Sequence, residues 1–258
     1  MEFDDFDRCM LTRGWAIVEG LVPMPLVVRM LNDMEQAYEI CRAAQLRNGI
    51  GEKTPGTLHH LIGLGESFLE YLELNHAGPW IERYFGGKYI LNSFGGNINS
   101  PEHGSYANVI HRDIRTFSGD HRLLLNTLVM LDAFSVENGA THLLTGGHRL
   151  ADRPADDFFW HNSVQAVAPA GSVLLFDSNL WHAAGRNRTD RPRRSVTPMY
   201  SRPYFKQGFD YPRALGYERG ASFSEEMRQV LGYNARVPAT LDEWYQPPER
   251  RMYRADQG

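Results

Sequence analysis

The chain of 258 residues is 42% hydrophobic and 22% charged, so it can bury a sizeable core without disulfides. Its formal net charge of −4 and its scattered basic residues disfavour sequence-independent binding to nucleic acid. No apolar run is long enough to span a bilayer, and the acidic N-terminus lacks the pattern of a secretory signal.

The cysteine content indicates the compartment. Cys9 and Cys41 are the only two cysteines, which is too few for a disulfide framework or a thiolate zinc site and suits a reducing environment. We expect both to be packing residues in a cytoplasmic protein. The expected partner is a small-molecule substrate, with no nucleic acid and no membrane, and the sequence leaves the oligomeric state open.

The first third of the chain shows helical periodicity around one short strand. Leu26, Met30, Met34 and Tyr38 recur at helical spacing, and Pro25 suits the first turn of that helix. The elements predicted here are a strand in residues 14–22, helices in residues 23–46, 66–75 and 78–86, and a Gly-rich loop in residues 47–65.

From residue 88 the pattern changes to short β-rich runs separated by Gly, Pro, Asn and Asp. Because no helices are predicted between these runs, their spacing favours an antiparallel jelly roll over parallel βαβ units. The last fifty residues return to helix and coil, and Ser222 or Ser224 could cap the helix in SFSEEMRQVLG.

The predicted fold is therefore mainly β, with a double-stranded β-helix core (a jelly roll, cupin-like) and flanking helices. We expect one domain over residues 1–258. Helical support would occupy about residues 1–87, the jelly-roll core about 88–205, and a C-terminal helix and coil about 206–258.

The segment ANVIHRDIRTF, residues 107–117, carries two potential metal ligands. Side chains two residues apart on a strand point the same way, so His111 and Asp113 should project together while Arg112 points away. A third ligand would complete the two-histidine, one-carboxylate triad that leaves three positions open on iron(II). His182 is the best candidate, because it follows an apolar strand that ends in a polar corner.

Each of these ligands has an alternative interpretation. His111 and Asp113 could be surface residues at a strand end, and His182 could be a core histidine packed beside Trp181.

Arg193 follows His182 by eleven residues and opens the last predicted strand. An antiparallel connection of that length can return beside the preceding strand, which would place the guanidinium near the metal. Its planar fork of donors suits bidentate capture of a carboxylate. Alternatively, Arg193 is a solvated member of a cluster with Arg191 and Arg194.

Four motifs in this order resemble the phytanoyl-CoA dioxygenase family of iron(II)- and 2-oxoglutarate-dependent oxygenases. They are HRD (111–113), ENGATHLLTGGH (137–148), GSVLLFDSNLWHAAGRNRT (171–189) and Arg193. The resemblance spans roughly residues 88–205, and a weaker similarity extends to the N-terminal strand and helix. LTGGH departs from the Pro-Gly-Ser-His-like segment of the family, but the departure touches no candidate ligand.

The resemblance implies iron(II) held by His111, Asp113 and His182, with the distal carboxylate of 2-oxoglutarate on Arg193 and O2 as the third reactant. The implied reaction releases succinate and carbon dioxide and oxidises a C–H bond of a small organic molecule. Halogenating relatives have a small residue at the carboxylate position, so Asp113 implies a hydroxylase and not a halogenase. Desaturation and ring formation are related outcomes, and the substrate itself is not readable.

Further residues are weaker candidates for the site. Asn126 is polar in an apolar strand, so its amide could bind 2-oxoglutarate or form a structural bond to a neighbouring loop. Strand alternation would keep Arg115 on the metal side, where it could hold an acidic substrate or pair with a surface carboxylate. His59 and His60 could contact substrate from a lid or lie in a solvated loop. His142 and His148 are expected to be structural.

Two other classes of protein remain open on the sequence. One is a jelly-roll isomerase or hydrolase that uses the same triad with another metal and without 2-oxoglutarate. The other is a non-catalytic binding module that has kept the fold.

Overall fold

The computed structural model describes residues 1–102 and 106–257, and within them nine strands form two antiparallel sheets. The strands are, in chain order, β1 (Trp15–Val18), β2 (Thr57–Leu58), β3 (Ile90–Asn99), β4 (Leu124–Met130), β5 (His142–Leu143), β6 (Val164–Gln165), β7 (Val173–Asp177), β8 (His182–Ala183) and β9 (Arg193–Ser201). The larger sheet has the order β1-β7-β4-β9-β3-β2, and the smaller sheet has the order β6-β5-β8. The predicted mainly β, jelly-roll architecture is confirmed.

Helices precede β1, follow β9 and lie in three of the connections between strands. They are α1 (Phe3–Thr12), α2 (Met24–Arg47), α3 (Glu66–Leu74), α4 (Gly78–Phe85), α5 (Asp156–Asn162), α6 (Tyr211–Leu215), α7 (Tyr217–Gly220), α8 (Glu225–Val230) and α9 (Leu241–Trp244). Within the described ranges, no helix combines the length and the apolarity needed to cross a membrane.

The larger sheet is buried on both faces. Successive side chains along a strand point to opposite faces, so neighbouring residues belong to different cores. On β7, Val173 and Leu175 belong to a core shared with helices α1 to α4. Leu174 and Phe176 belong to a second core, between the two sheets. A third cluster, which includes Phe159 of α5, lies beyond the smaller sheet. The layers are therefore helices, large sheet, small sheet and α5.

The predicted helices and most strands are found, with three differences. Two strands of the large sheet come from before residue 88, because β1 pairs with β7 and β2 pairs with β3. Helices α1 and α5 were not predicted, although Phe6 and Met10 of α1 are buried at helical spacing; α5 is only seven residues long. Cys9 and Cys41 are free and partly buried against the first core.

The third difference concerns the predicted strand that carries HRD. The sequence predicted this strand as SYANVIHRD, residues 105–113, of which residue 105 lies outside the described residues. Tyr106–Asn108 form a short 3-10 turn, His111 makes a single bridge, and the chain bends from Asp113 to Thr116. The prediction of a continuous strand was therefore wrong, and the placement of Asp113 and Arg115 cannot follow from strand alternation.

The structure assigns the cap of α8 to Ser224. Its Oγ accepts a hydrogen bond from the Met227 N–H at 3.1 Å, whereas the Ser222 Oγ donates to the Arg219 carbonyl oxygen. Ser224→Ala should lower the free energy of unfolding by about 1 kcal/mol, because an N-terminal N–H of the helix loses its partner. Ser222→Ala is the control and should cost less in urea unfolding, since its bond is exposed to water. Equal losses would contradict the assignment.

Candidate active site

His111 and His182 are held side by side by a two-bond bridge. The N–H of His111 donates to the His182 carbonyl oxygen at 3.0 Å, and the His182 N–H donates back at 2.9 Å. This is the hydrogen-bonded pair of an antiparallel ladder, and it attaches His111 to the free edge of β8. The two imidazole ring centroids are 4.2 Å apart.

The carboxylate of Asp113 completes a compact group of donors. Its Oδ1 lies 3.6 Å from the Nε2 of His111, and its Oδ2 lies 3.6 Å from the Nε2 of His182. One ligand atom from each of the three residues lies within 4.8 Å of the other two. The sequence therefore identified three residues that the fold brings together from two distant segments.

Backbone carbonyls orient both imidazoles. The Nδ1 of His111 lies 2.7 Å from the Val109 carbonyl oxygen, and the Nδ1 of His182 lies 3.0 Å from that of Leu180. A carbonyl oxygen only accepts, so each Nδ1 carries a hydrogen, and each Nε2 is the ring nitrogen that faces Asp113. Burial, and secondarily the neighbouring His111, lowers the pKa of His182 to about 4, so this imidazole is neutral at neutral pH.

Asn126 has a specific partner in the structure. It is buried on β4, and its Nδ2 donates a hydrogen bond to the Oδ2 of Asp113. The amide therefore satisfies one carboxylate oxygen and fixes the side chain of Asp113. The expected contact between Asn126 and 2-oxoglutarate stays a prediction, since the donor observed here is used on Asp113.

Arg193 begins β9 and reaches the same cavity by strand alternation. Arg193, Ser195, Thr197 and Met199 line the cavity, whereas Val196 belongs to the core on the helical side. The expected pairing was wrong: β9 lies between β4 and β3 and does not return beside β7 or β8. After β8, which belongs to the smaller sheet, the chain enters the larger sheet as β9. The spacing of residues along the sequence does not specify this long-range pairing.

The guanidinium of Arg193 is buried without an acidic partner in contact. The residue is 2% exposed, and its Nε and Nη1 have no hydrogen-bond partner within the described residues. It lies over the ring of Phe134, 4.1 Å from the centroid. Burial lowers the pKa of Arg193 to about 10, against an opposing effect of Asp132, so the group stays charged at neutral pH.

The two neighbouring arginines are placed differently. Arg194 forms a bidentate pair with Asp132, with both N–O distances at 2.9 Å. Arg191 is exposed and does not line the cavity. Of the three arginines considered from the sequence, Arg193 is the one that points into the cavity.

One cavity of about 410 Å³ contains the triad and Arg193, and its wall draws on both sheets. Asn126, Arg115, His59 and His60 also line it. Leu128, Phe176 and Met199 supply apolar wall, and Ser195 and Thr197 supply hydroxyl groups. These five residues were missed in the sequence, although counting by twos from Arg193 would have found three of them.

The two histidines expected to be structural lie outside this cavity. The Nδ1 of His142 is 3.0 Å from the Ser163 Oγ, and its ring packs edge-on against Trp160. His148 is the last residue of the LTGGH segment, which departs from the family pattern, and it packs against Gly14. That segment lines no part of the cavity.

The fold and this donor set together define the class: a jelly-roll protein with two histidines and one carboxylate in a cavity, as in metal-dependent oxygenases. A family model described as phytanoyl-CoA dioxygenase (PhyH) matches residues 12–195. The chain belongs to this family.

Curated relatives match most of the chain, and solved structures share its fold. The uncharacterized protein Rv1501 of Mycobacterium tuberculosis is 32% identical over 95% of this chain and 92% of its own length. The iron/alpha-ketoglutarate-dependent dioxygenase penM of Penicillium thymicola is 25% identical over 72% of this chain and 64% of its own.

Among solved structures, AviO1 of Streptomyces viridochromogenes Tue57 has a TM-score of 0.61 at 17% identity and covers 79% of this chain and 96% of its own. The non-heme alpha ketoglutarate dependent epimerase SnoN, from nogalamycin biosynthesis, has a TM-score of 0.59 at 17% identity. The match covers 77% of this chain and 80% of the SnoN chain. Family and relatives indicate a dioxygenase-type enzyme and broadly support dependence on iron and 2-oxoglutarate.

The ENG motif holds the chain that follows His182 close to β5. Gly139 has φ +77°, and a Cβ added there would lie 2.3 Å from the Gly185 carbonyl oxygen. Asn138 fixes this turn, because its Oδ1 accepts from the Ser135 N–H at 2.8 Å. Only glycine fits both the backbone conformation and the close approach.

We expect Gly139→Ala to destabilise the protein more than Gly119→Ala. Gly119 also has positive φ, at +57°, but nothing lies within 4 Å of an added Cβ, so its substitution should cost only the left-handed conformation, about 1 kcal/mol. Gly139→Ala adds a backbone clash and should cost about 1–3 kcal/mol more. Urea unfolding of both variants measures the difference, and equal values would refute the close-contact explanation.

Proposed function

We propose that this protein is an iron(II)- and 2-oxoglutarate-dependent dioxygenase that hydroxylates a C–H bond of a small organic molecule. The 2-oxoglutarate would be converted to succinate and carbon dioxide, with O2 as oxidant. The observation that carries the proposal is that His111, Asp113 and His182 share one cavity with the buried guanidinium of Arg193, whose Nε and Nη1 have no hydrogen-bond partner in the described part of the chain.

The residues present fit iron(II). Two imidazoles whose Nε2 atoms face one carboxylate form, with that carboxylate, the facial set that this ion uses in non-haem oxygenases. The carbonyls on the Nδ1 atoms and the amide of Asn126 on Asp113 are the outer partners that orient such ligands. His111, Asp113 and His182 would therefore hold the metal and leave coordination positions for other molecules.

The residues also fit a dicarboxylate co-substrate. A buried guanidinium with unsatisfied N–H groups is costly unless an anion binds it. A carboxylate matches the geometry and the charge of these donors, and Phe134 fixes the plane of the guanidinium from one side. Arg193 would therefore bind the distal carboxylate of 2-oxoglutarate.

Iron(II), with 2-oxoglutarate and O2, supplies the oxidising chemistry that acts on the substrate C–H bond. The protein residues position and shield the reactants. Leu128, Phe176 and Met199 make the wall apolar, which limits access of water to the cavity. Asn126 holds Asp113 in one orientation through its hydrogen bond, so the ligand set stays fixed.

The two rival classes are distinguished by specific features. An isomerase or hydrolase without 2-oxoglutarate would not need Arg193, whose buried charge is otherwise unexplained. A non-catalytic module would not need three intact donors with fixed tautomers. Succinate release that requires both O2 and 2-oxoglutarate would support the oxygenase, and its absence in the iron-loaded protein would reject it.

We predict that His111→Ala or Asp113→Ala weakens iron(II) binding by at least about a hundredfold and abolishes succinate formation, because a ligand is lost. Anaerobic titration with iron(II) measures the first effect without relying on turnover. His161→Ala is the matched control, since His161 is exposed and lies outside the cavity. Wild-type metal binding in either ligand variant would refute the assignment.

We predict that Arg193→Ala raises the 2-oxoglutarate concentration required for half-maximal turnover by about thirtyfold or more, through loss of a charge-assisted pair. Arg193→Lys should recover part of the loss, because it keeps the charge without the planar fork. Arg191→Ala should behave as wild type, since Arg191 is exposed. An unchanged requirement in Arg193→Ala would remove this residue from the co-substrate site.

A further inference from the structure

Arg115 lines the cavity that contains the triad, and its side chain has no assigned structural partner. Within the described residues its guanidinium forms neither an ion pair nor a hydrogen bond, and the residue is exposed. The alternative interpretation from the sequence, pairing with a surface carboxylate, is therefore wrong for the described part of the chain.

Nearby arginines are used differently. Arg112, three residues earlier, donates to the Ala151 carbonyl oxygen at 2.9 Å and packs over Trp181 at 5.1 Å. Arg122 donates to the Tyr84 carbonyl oxygen at 2.8 Å. Each of these two arginines therefore donates to the fold, whereas Arg115, at the wall of the cavity, donates to no group among the described residues.

The backbone that carries Arg115 is nevertheless fixed. Ile114 is 5% exposed, and its N–H donates to the Ser178 carbonyl oxygen at 3.2 Å. The bend that begins at Asp113 is therefore anchored to the turn between β7 and β8. Arg115 thus presents a charged group from a defined position beside the triad, and its long side chain can adapt to a ligand.

His59 and His60 add polar but uncharged groups to the same wall. Burial lowers the pKa of both residues, and the neighbouring His59 lowers that of His60 further, so both are neutral at neutral pH. His60 has φ +57°, a strained conformation for a residue with a Cβ. Its ring stacks on Phe209 with centroids 4.2 Å apart, and its Nδ1 lies 3.3 Å from the Tyr211 hydroxyl.

The balance of charge in the cavity determines which ligand is attracted. Asp113 is the only acidic residue in its described lining. A divalent metal and a dianionic co-substrate, together with Asp113 and Arg193, would be neutral overall. Arg115 then remains as an uncompensated positive charge, and a carboxylate is the group that its fork of donors matches best.

We propose that the substrate is a small organic acid whose carboxylate is bound by Arg115, with His59 and His60 as hydrogen-bonding groups on the same wall. The inference rests on the proposed function. The cavity of about 410 Å³ must also hold 2-oxoglutarate, which restricts the acid to a small molecule.

Binding of matched acid and amide pairs tests this inference. The probes are aliphatic and aromatic monocarboxylic acids, each with its primary amide. Their affinity is measured by calorimetry on anaerobic protein loaded with iron(II) and saturated with 2-oxoglutarate. We expect at least one acid to bind about tenfold or more tightly than its amide, as a charge-assisted hydrogen bond provides.

Substitution of Arg115 should remove this preference. In Arg115→Gln the acid and its amide should bind equally, and Arg115→Lys should keep part of the preference. Arg47→Gln is the control, because Arg47 is exposed at the end of α2 and does not line the cavity. The control should keep the wild-type preference.

Two results would overturn the inference: no pair in which the acid binds better, or an unchanged preference in Arg115→Gln. The outcome is separable from the proposed function. Wild-type protein that releases succinate from 2-oxoglutarate but shows no preference for acids would contradict this inference alone. Wild-type protein that releases no succinate would contradict the proposed function.

Discussion

The backbone bridge between His111 and His182 is the interaction on which the candidate site depends. Two hydrogen bonds attach an otherwise irregular segment to β8, which is itself only two residues long. Such short pairing is weak alone, so its rigidity must come from packing on both sides. The core between the sheets and the cluster around Ile110 and Trp181 provide that packing, which lets a minimal ladder fix two imidazoles.

The layered fold also explains why a charged residue can stay buried at the site. Arg193 lies at the start of β9, where the strand passes between two apolar layers, and Phe134 covers one face of the guanidinium. Asp132 does not neutralise it, because that carboxylate is engaged by Arg194 on the opposite side of the strand. The adjacent arginines therefore have different roles: one stabilises the fold and the other is left for a ligand, which on our proposal is 2-oxoglutarate.

Much of this arrangement was predictable, because strand periodicity and turn residues are local signals. The short β-rich runs between turn residues predicted the sheet, and the apolar run before His182 located the third donor. Non-local choices were not predictable. Three features depend on which distant segments meet in the fold. They are the position of β9 between β4 and β3, the bend at Asp113 and the hydrogen bond from Asn126 to Asp113. Spacing along the chain carries no such information.

The bend at Asp113 connects the metal chemistry to the proposed choice of substrate. A continuous strand would have placed Asp113 and Arg115 on the same face, two residues apart and equally deep. The bend keeps both side chains on the wall of one cavity, with Asp113 beside the imidazoles and Ile114 buried between the two. Because one anchored turn carries both side chains, the backbone limits the distance between the donor set and a carboxylate bound by Arg115. On our proposal, an acid bound by Arg115 would therefore have one of its carbon atoms held near the metal.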